Sequence, residues 1–348
     1  MTLRTLGRSG LLVSPLCLGT MTFGNTKWGS ADDVSENIFR AYLDVGGNFI
    51  DTANVYAGGA SETLLGRLIA EGNLRHRIVL ATKFAFGSEA VNPLAGGNGR
   101  KHIHRAIDQS LTRLRTDHID LYWLHAWDTI TPVEEVLETL GNLVRAGKIL
   151  YFGLSDIPAW YATRAATLAE AYSVPGPIAL QLEYSLTDRF IEQEHVAAAR
   201  ECGMGICPWS PLAAGFLSGK YSRDETGKAT TGGGRLDQNP PNFQKFTERN
   251  WRTLDALREV ASEAGRPLAQ VALAWAAAQP GITSLIIGVT KVEQLQDNIA
   301  SLGFTLTPAQ LAKLTEASAL VPAHPNMLFS GNLFSRLFFA GSEVKRNF

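Results

Sequence analysis

Four side chains within the first 125 residues have the types and spacing to deliver a proton at a carbonyl group: Asp51, Tyr56, Lys83 and His125. Tyrosine is a weak acid with a reference pKa of about 10, and an ammonium group beside it favours the ionised form and draws that value toward neutrality. Lys83 is the candidate ammonium. A buried lysine needs a counter-charge to stay protonated, and Asp51 can supply it. His125 can donate a hydrogen bond to a carbonyl oxygen and stabilise negative charge developing there. Taken singly, each has an ordinary explanation as a turn cap, a packed ring or a satisfied core imidazole. Their placement on successive elements makes them a group.

Those elements are read from short apolar runs rich in β-formers at residues 16–20, 49–53, 78–84, 119–125, 150–155, 178–184, 205–209 and 285–289. Most are continuous rather than alternating, as expected of parallel strands covered on both faces. Helical periodicity follows them at about 33–45, 61–71, 102–115, 132–146, 158–172, 188–202, 250–279, 291–301 and 308–319. Eight βα units predict an α/β fold, a (β/α)8 TIM barrel, whose active site lies at the C-terminal strand ends. Asp51, Lys83 and His125 fall near the ends of strands two, three and four, and Tyr56 in the loop after strand two.

Helix starts carry their own chemistry. Thr131-Pro132-Val133-Glu134 and Thr307-Pro308-Ala309-Gln310 read as capping boxes with proline at the first helical position, and Asp33-Val34-Ser35-Glu36 as a weaker version. Residues 3–6 and 11–13, flanking Gly7-Arg8-Ser9-Gly10, predict a hairpin covering one end of the barrel. Residues 221–244, rich in Gly, Thr, Asn and Pro, form a long loop after strand seven, of the kind that serves as a lid. Residues 1–320 read as one barrel domain, and 321–348 as a tail whose Phe329, Phe334, Phe338 and Phe339 predict packing on the barrel or on a second subunit.

Composition narrows the function classes. With 45% hydrophobic and 19% charged residues the chain is globular, and a net charge of -1 with scattered Lys and Arg excludes a phosphate-backbone partner. Cys17, Cys202 and Cys207 lack disulfide or zinc spacing and read as reduced thiols, and no apolar run approaches membrane-spanning length. These features, with no secretory leader at the N-terminus, predict a cytoplasmic protein. No GxGxxG follows a strand. The glycine-spaced Gly19–Thr26 loop has Asn25 where a phosphate loop needs lysine. His102-Ile103-His104 has no third ligand at useful spacing, so no metal is expected. Trp28, Phe84, Phe86 and Trp127 follow strands one, three and four and can wall an apolar substrate cleft.

The motifs around the four residues resemble the aldo-keto reductase superfamily over roughly residues 3–320. Asp51-Thr52-Ala53-Asn54-Val55-Tyr56, with Gly59-Ala60-Ser61-Glu62 and Leu65-Gly66, is similar to its first signature. Ala81-Thr82-Lys83, Asp120-Leu121-Tyr122-Trp123-Leu124-His125, Gly153-Leu154-Ser155 and Trp209-Ser210-Pro211-Leu212 follow in family order. Leu18-Gly19-Thr20-Met21-Thr22-Phe23-Gly24 and His125-Ala126-Trp127-Asp128 look most like the bacterial aryl-alcohol-dehydrogenase-like members.

The resemblance implies an NADPH-dependent reductase of aldehydes or ketones, reversible with NADP, in which Tyr56 is the general acid, tuned by Lys83 and Asp51, and His125 orients the carbonyl. It further implies that Ser155, Asp156 and Gln181 hold the nicotinamide carboxamide and that Trp209 stacks on the ring. Ser210, Leu212, Gly215 and Lys220 would line the pyrophosphate path. Thr290, Lys291 and Gln294 would meet the 2′-phosphate, and Asp297 and Asn298 the adenine, with Thr20, Met21, Asp51, Pro211 and Gly288 completing the cofactor surface. Two positions depart from the family pattern. Asp156 replaces the usual asparagine and, when ionised, only accepts hydrogen bonds; Trp209 replaces a tyrosine and keeps only the aromatic face. Two other readings stay open at this level: Lys83 as a Schiff-base lysine of an aldolase, and a nucleotide-sensing binding subunit with little turnover, like the potassium-channel β subunits.

Overall fold

The computed structural model describes residues 1–25, 28–223, 229–230, 236, 245–329, 331–342 and 344. Most of the expected 221–244 lid lies outside the described residues, as does Thr26 of the glycine-spaced loop. Strands β1 (Arg4–Thr5) and β2 (Leu12–Val13) pair antiparallel as the expected hairpin. The barrel follows as β3 (Leu16–Gly19), β4 (Phe49–Asp51), β5 (Val79–Phe84), β6 (Ile119–Leu124), β7 (Ile149–Ser155), β8 (Ala179–Gln181) and β9 (Gly205–Ile206). A short antiparallel pair, β10 (Ser222–Arg223) and β11 (Ala229–Thr230), precedes the last barrel strand, β12 (Leu285–Gly288).

All eight barrel strands are parallel, each beside its neighbour in sequence, with β12 returning to β3 at Leu285↔Leu16. Closure at the remaining edge is made by backbone bonds. Thr283 N–H donates to the Ile206 carbonyl and Ile286 N–H to the Pro208 carbonyl, both at 2.8 Å. The result is the (β/α)8 barrel that the eight apolar runs predict.

Strand alternation sorts the side chains. Cys17, Phe49, Val79, Ala81, Leu121, Trp123, Ala179, Cys207 and Ile286 fill the barrel interior, where Leu6 and Val13 of the hairpin join them from below. The intervening Leu18, Ile50, Leu80, Tyr122, Leu124, Phe152 and Leu180 face the surrounding helices. The same two-residue period carries Asp51, Lys83, His125, Ser155 and Gln181 to the inward side at the C-terminal mouth. Gly153 serves this interior directly, because a methyl group there would lie 2.3 Å from the Trp123 ring that crosses it.

The outer layer comprises α1 (Asp32–Asp44), α2 (Ala60–Glu71), α3 (Arg100–Leu114), α4 (Val133–Arg145), α5 (Ala159–Ala171), α6 (His195–Glu201), α7 (Glu248–Ala264), α8 (Leu268–Ala277), α9 (Val292–Ala300) and α10 (Pro308–Ala317). Four expectations need correction. The single helix expected at 250–279 is two, because Gly265 takes a left-handed φ of 61° and Pro267 starts a new helix at the mouth. The 188–202 helix shortens to α6 after one 3-10 turn. Thr307 forms its capping box, but Thr131 does not cap α4. Its hydroxyl instead donates to Asp128 Oδ2 at 2.6 Å, and that carboxylate also gathers the N–H groups of Asn98, Ile130 and Thr131. The weaker start near Asp33 gives a helix whose cap residue, Ala31, has no side-chain bond to offer.

The tail holds a final helix, α11 (Gly331–Phe339). Phe334 touches Phe338 and Phe339 within that helix, and Phe329 and Phe338 remain 60% and 58% exposed. His102 is buried in α3 while His104 faces outward, so the two do not share a face. Among the described residues no three metal-ligating side chains gather, and no helix is long and apolar enough to cross a membrane.

Candidate active site

Asp51 ends β4 and Lys83 is the penultimate residue of β5. Their side chains form an ion pair in which Lys83 is fully buried and Asp51 2% exposed. The Lys83 ammonium also donates to the Thr52 carbonyl at 2.8 Å and to the Tyr56 hydroxyl at 3.2 Å. Gln181 from β8 completes the shell of Asp51, its amide nitrogen donating to Oδ1 at 3.0 Å. Tyr56 leans edge-on to His125, their rings 6.0 Å apart, and Phe86 packs on the imidazole at 4.4 Å. The structure thus brings together all four side chains singled out by type.

Electrostatics alter one expectation. Burial raises Tyr56 above the ordinary tyrosine value; Lys83 pulls it back, but the Asp51 charge adds to the rise, so the hydroxyl is held as the neutral, proton-bearing form. Burial works against charge on Lys83, yet Asp51 and Tyr56 outweigh it and keep the ammonium protonated, above the usual lysine range. Burial and the nearby Lys83 charge press His125 down to about 2, so its imidazole is neutral at every ordinary pH.

These residues open onto a cleft of about 850 Å³ that runs across the mouth to the first turns of α8 and α9. Its walls include Met21, Asp51, Ser155, Asp156, Gln181, Trp209, Ser210, Pro211, Leu212, Gly215, Lys220, Gly288, Thr290, Gln294, Asp297 and Asn298. Two residues expected on the cofactor surface are elsewhere. Thr20 is fully buried beneath the floor, where its hydroxyl donates to the Asp51 carbonyl at 3.0 Å. Lys291 caps α9 with its side chain exposed outside the cleft lining. Trp28 and Phe86 line the cleft, Phe86 at its catalytic end against His125. Phe84 does not: one residue after inward Lys83, it points to the helices and packs on Tyr122. Trp127 also turns away, into an aromatic group with Trp160 and Tyr161.

The cleft's polar atoms fit a dinucleotide. Ser155 Oγ is buried and has no partner among the described residues, so a hydroxyl is left for a ligand carbonyl. Gln181 commits one amide hydrogen to Asp51, which leaves its Oε1 as an acceptor available to the cleft. Asp156 Oδ1 accepts from the Trp209 indole N–H at 3.0 Å, which fixes the plane of that ring. Left-handed backbone at Ser210, Ala213, Ala214 and Gly215 curls this segment into a tight turn at the cleft wall, the N–H groups of Ala213 and Gly215 donating to the Ser210 and Leu212 carbonyls and that of Ala214 to Ser210 Oγ. Lys220 bears on it, since a methyl on Gly215 would lie 2.8 Å from the ammonium.

Sequence reasoning missed Ala269, Val55 and Ile286 as cleft wall. For Ala269 the signal was present: Gly265-Arg266-Pro267 ends one helix and begins the next at the mouth.

The barrel thus carries a buried aspartate–lysine–tyrosine group and an elongated cleft at the same mouth. A model of the aldo/keto reductase family matches residues 15–319, and the chain belongs to that family as an NAD(P)H-dependent aldo-keto reductase. It is 38% identical to the uncharacterized oxidoreductase YrpG of Bacillus subtilis (strain 168), over 89% of this chain and 94% of that one. It is 34% identical to norsolorinic acid reductase B of Aspergillus parasiticus, over 94% and 87% of the two chains. It is 33% identical to an aryl-alcohol dehydrogenase of Phanerodontia chrysosporium whose name specifies NADP(+), over 92% and 86%.

Proposed function

We propose that this chain reduces aldehyde or ketone carbonyls to alcohols with NADPH, and oxidises secondary alcohols with NADP in reverse, Tyr56 carrying the proton. The observation that supports this most is the Asp51–Lys83–Tyr56 chain, buried at one end and open beside His125 at the other. Bound NADPH supplies the hydride. Tyr56, neutral and proton-loaded, gives its proton to the carbonyl oxygen as charge develops there, and Lys83 stabilises the phenolate left behind. Neutral His125 orients the same oxygen by hydrogen bonding.

Ser155 would donate to the carboxamide oxygen, while Gln181 Oε1 and Asp156 would accept its two amide hydrogens. Replacement of the family's asparagine by Asp156 is therefore compatible with the contact. Trp209, held by Asp156, would stack on the ring. The turn from Ser210 to Gly215, with Leu212 and the Lys220 ammonium, would line the pyrophosphate path, and Thr290 and Gln294, with Lys291 reaching in from outside the cleft wall, would meet the 2′-phosphate. Trp28 and Phe86 would hold an apolar, aromatic substrate, as the names of the reductase and dehydrogenase relatives suggest. The Schiff-base reading loses support because a nucleophilic lysine must be a free amine, and Lys83 is an ion-paired ammonium.

The direct test is a panel of aromatic and aliphatic carbonyls followed by loss of NADPH absorbance. Turnover with NADPH, and a higher KM for NADH, is expected; negligible turnover over the whole panel would sink the proposal.

Asp156 gives this reading a pH signature. Burial, reinforced by Glu183, pushes its carboxyl up to about 6, with the Trp209 hydrogen bond pulling the other way. Above that pH both oxygens only accept; as pH falls through it one oxygen takes a proton and becomes a donor, and since Oδ1 already serves Trp209 the acceptor left for an amide hydrogen is weakened. NADPH affinity of the natural protein is expected to weaken from pH 8 to pH 5 relative to Asp156→Asn, with the difference centred near 6. Dividing one dissociation constant by the other cancels titration of the cofactor's own phosphate. Parallel pH curves would show that Asp156 does not meet the cofactor.

A further inference from the structure

Directly behind the proton-delivery group lies a second set of buried polar side chains with no contact to the cleft. Strand alternation places Thr52 and Thr82 on the helix-facing side, one residue from inward-facing Asp51 and Lys83. Thr52 Oγ1 lies 3.0 Å from Ser61 Oγ, and the Ser61 hydroxyl donates to the Thr20 carbonyl at 2.9 Å. The Thr82 hydroxyl donates to Glu62 Oε1 at 2.6 Å, and Arg113 Nε of α3 donates to Glu62 Oε2 at 2.6 Å. Thr52, Thr82, Ser61 and Glu62 are all 0% exposed.

Ser61 and Glu62 begin α2, and the segment joining them to β4 is the one that carries Tyr56. That segment reverses sharply, with Ala57, Gly58 and Gly59 all at positive φ of 49°, 65° and 95°. A left-handed alanine persists only where its surroundings hold it. The Arg113 guanidinium lies across the turn, since a methyl on Gly59 would be 3.0 Å from its Cδ and 3.1 Å from its Nε. The tyrosine loop is therefore fixed at one end by β4 and at the other by the Ser61–Glu62 clamp. Both ends are tied to the strand positions adjoining Asp51 and Lys83.

A buried carboxylate is an expensive choice where only packing is needed, because an ion pair out of water adds little stability over apolar replacements. What it enforces here is register between α2, β5 and α3. We propose that Glu62, linked to Thr82 and Arg113, is a positioning residue that sets the Tyr56 hydroxyl against the Lys83 ammonium. This rests on Tyr56 being the acid. Its contribution is geometric, and a displacement of about 1 Å at such a group lowers rates on the order of 100-fold.

The test uses Thr82→Val, which keeps β-branched shape and leaves the Glu62–Arg113 pair intact, with Thr82→Ser as rescue, Glu62→Gln as second variant and Tyr56→Phe as reference. Thr82→Val and Glu62→Gln are expected to lose roughly 10- to 100-fold in kcat on the panel's best carbonyl substrate. NADPH affinity, read by protein fluorescence, is expected to stay within about twofold, and Thr82→Ser to restore kcat. A crystal structure of Thr82→Val is expected to show the Tyr56 hydroxyl displaced from Lys83. Natural kcat in both variants, or kcat and NADPH affinity falling in step with melting temperature, would overturn the positioning role. An active Tyr56→Phe would instead overturn the acid assignment, and the clamp's proposed purpose with it.

Discussion

Tyr56→Phe is expected to lower carbonyl turnover by about 10²- to 10⁴-fold, the range for removing a general acid, with NADPH affinity nearly unchanged. Only a hydroxyl is lost: the ring keeps its edge contact with His125, and Lys83 keeps Asp51 and the Thr52 carbonyl as partners. No buried charge is stranded, so the melting temperature should hold. Burial holds Tyr56 above the ordinary tyrosine value. Reduction by the natural protein should therefore persist through neutral pH and fall only on an alkaline limb, which the variant should lack. His125 cannot substitute, because a ring pressed down to about 2 carries no imidazolium proton to give. Most of the natural rate in the variant, or an alkaline limb surviving in its residual activity, would require a different acid.

The barrel was legible because its strands are buried on both faces and so read as continuous apolar runs, each bounded by a helical pattern. Alternation makes more of the site legible than residue type alone does. Once Lys83 is taken as inward, Phe84 must point outward, and its placement in the substrate cleft could have been rejected from the sequence. The break at Gly265 and Pro267 was likewise visible. The Asp128 network was harder to see, because a threonine followed by proline and glutamate matches a cap, and only geometry shows a nearby carboxylate taking its hydroxyl. Trp209 and Asp156 stand 53 positions apart, so their bond depends on how β7 to β9 sit around the barrel. The upward displacement of Tyr56 was beyond sequence reasoning: proximity to Lys83 could be inferred, but the opposing effect of burial is a property of the assembled mouth.

Lys83→Met should affect stability and catalysis in ways that can be separated. The ammonium is the main group opposing the rise that burial imposes on the Asp51 carboxyl. Without it, Asp51 is left with the Gln181 amide, and breaking a buried pair from one side costs roughly 3–5 kcal/mol. The lost stability should depend on pH. An aspartate whose folded pKa rises further above its unfolded value of about 3.9 binds a proton more readily in the native state, so stability falls as pH climbs between those two values. The melting-temperature gap between Lys83→Met and the natural protein should therefore be small near pH 5 and wide at pH 8. Adding Asp51→Asn removes the stranded charge and should recover most of the stability at pH 8. It should not recover turnover, because Tyr56 still lacks the ammonium that stabilises its phenolate, and a loss on the order of 10²-fold or more should remain in both variants. Recovery of activity by the double variant would show that Lys83 serves only to neutralise Asp51. A gap independent of pH would show that packing of the lysine stem, rather than the ion pair, holds this part of the barrel.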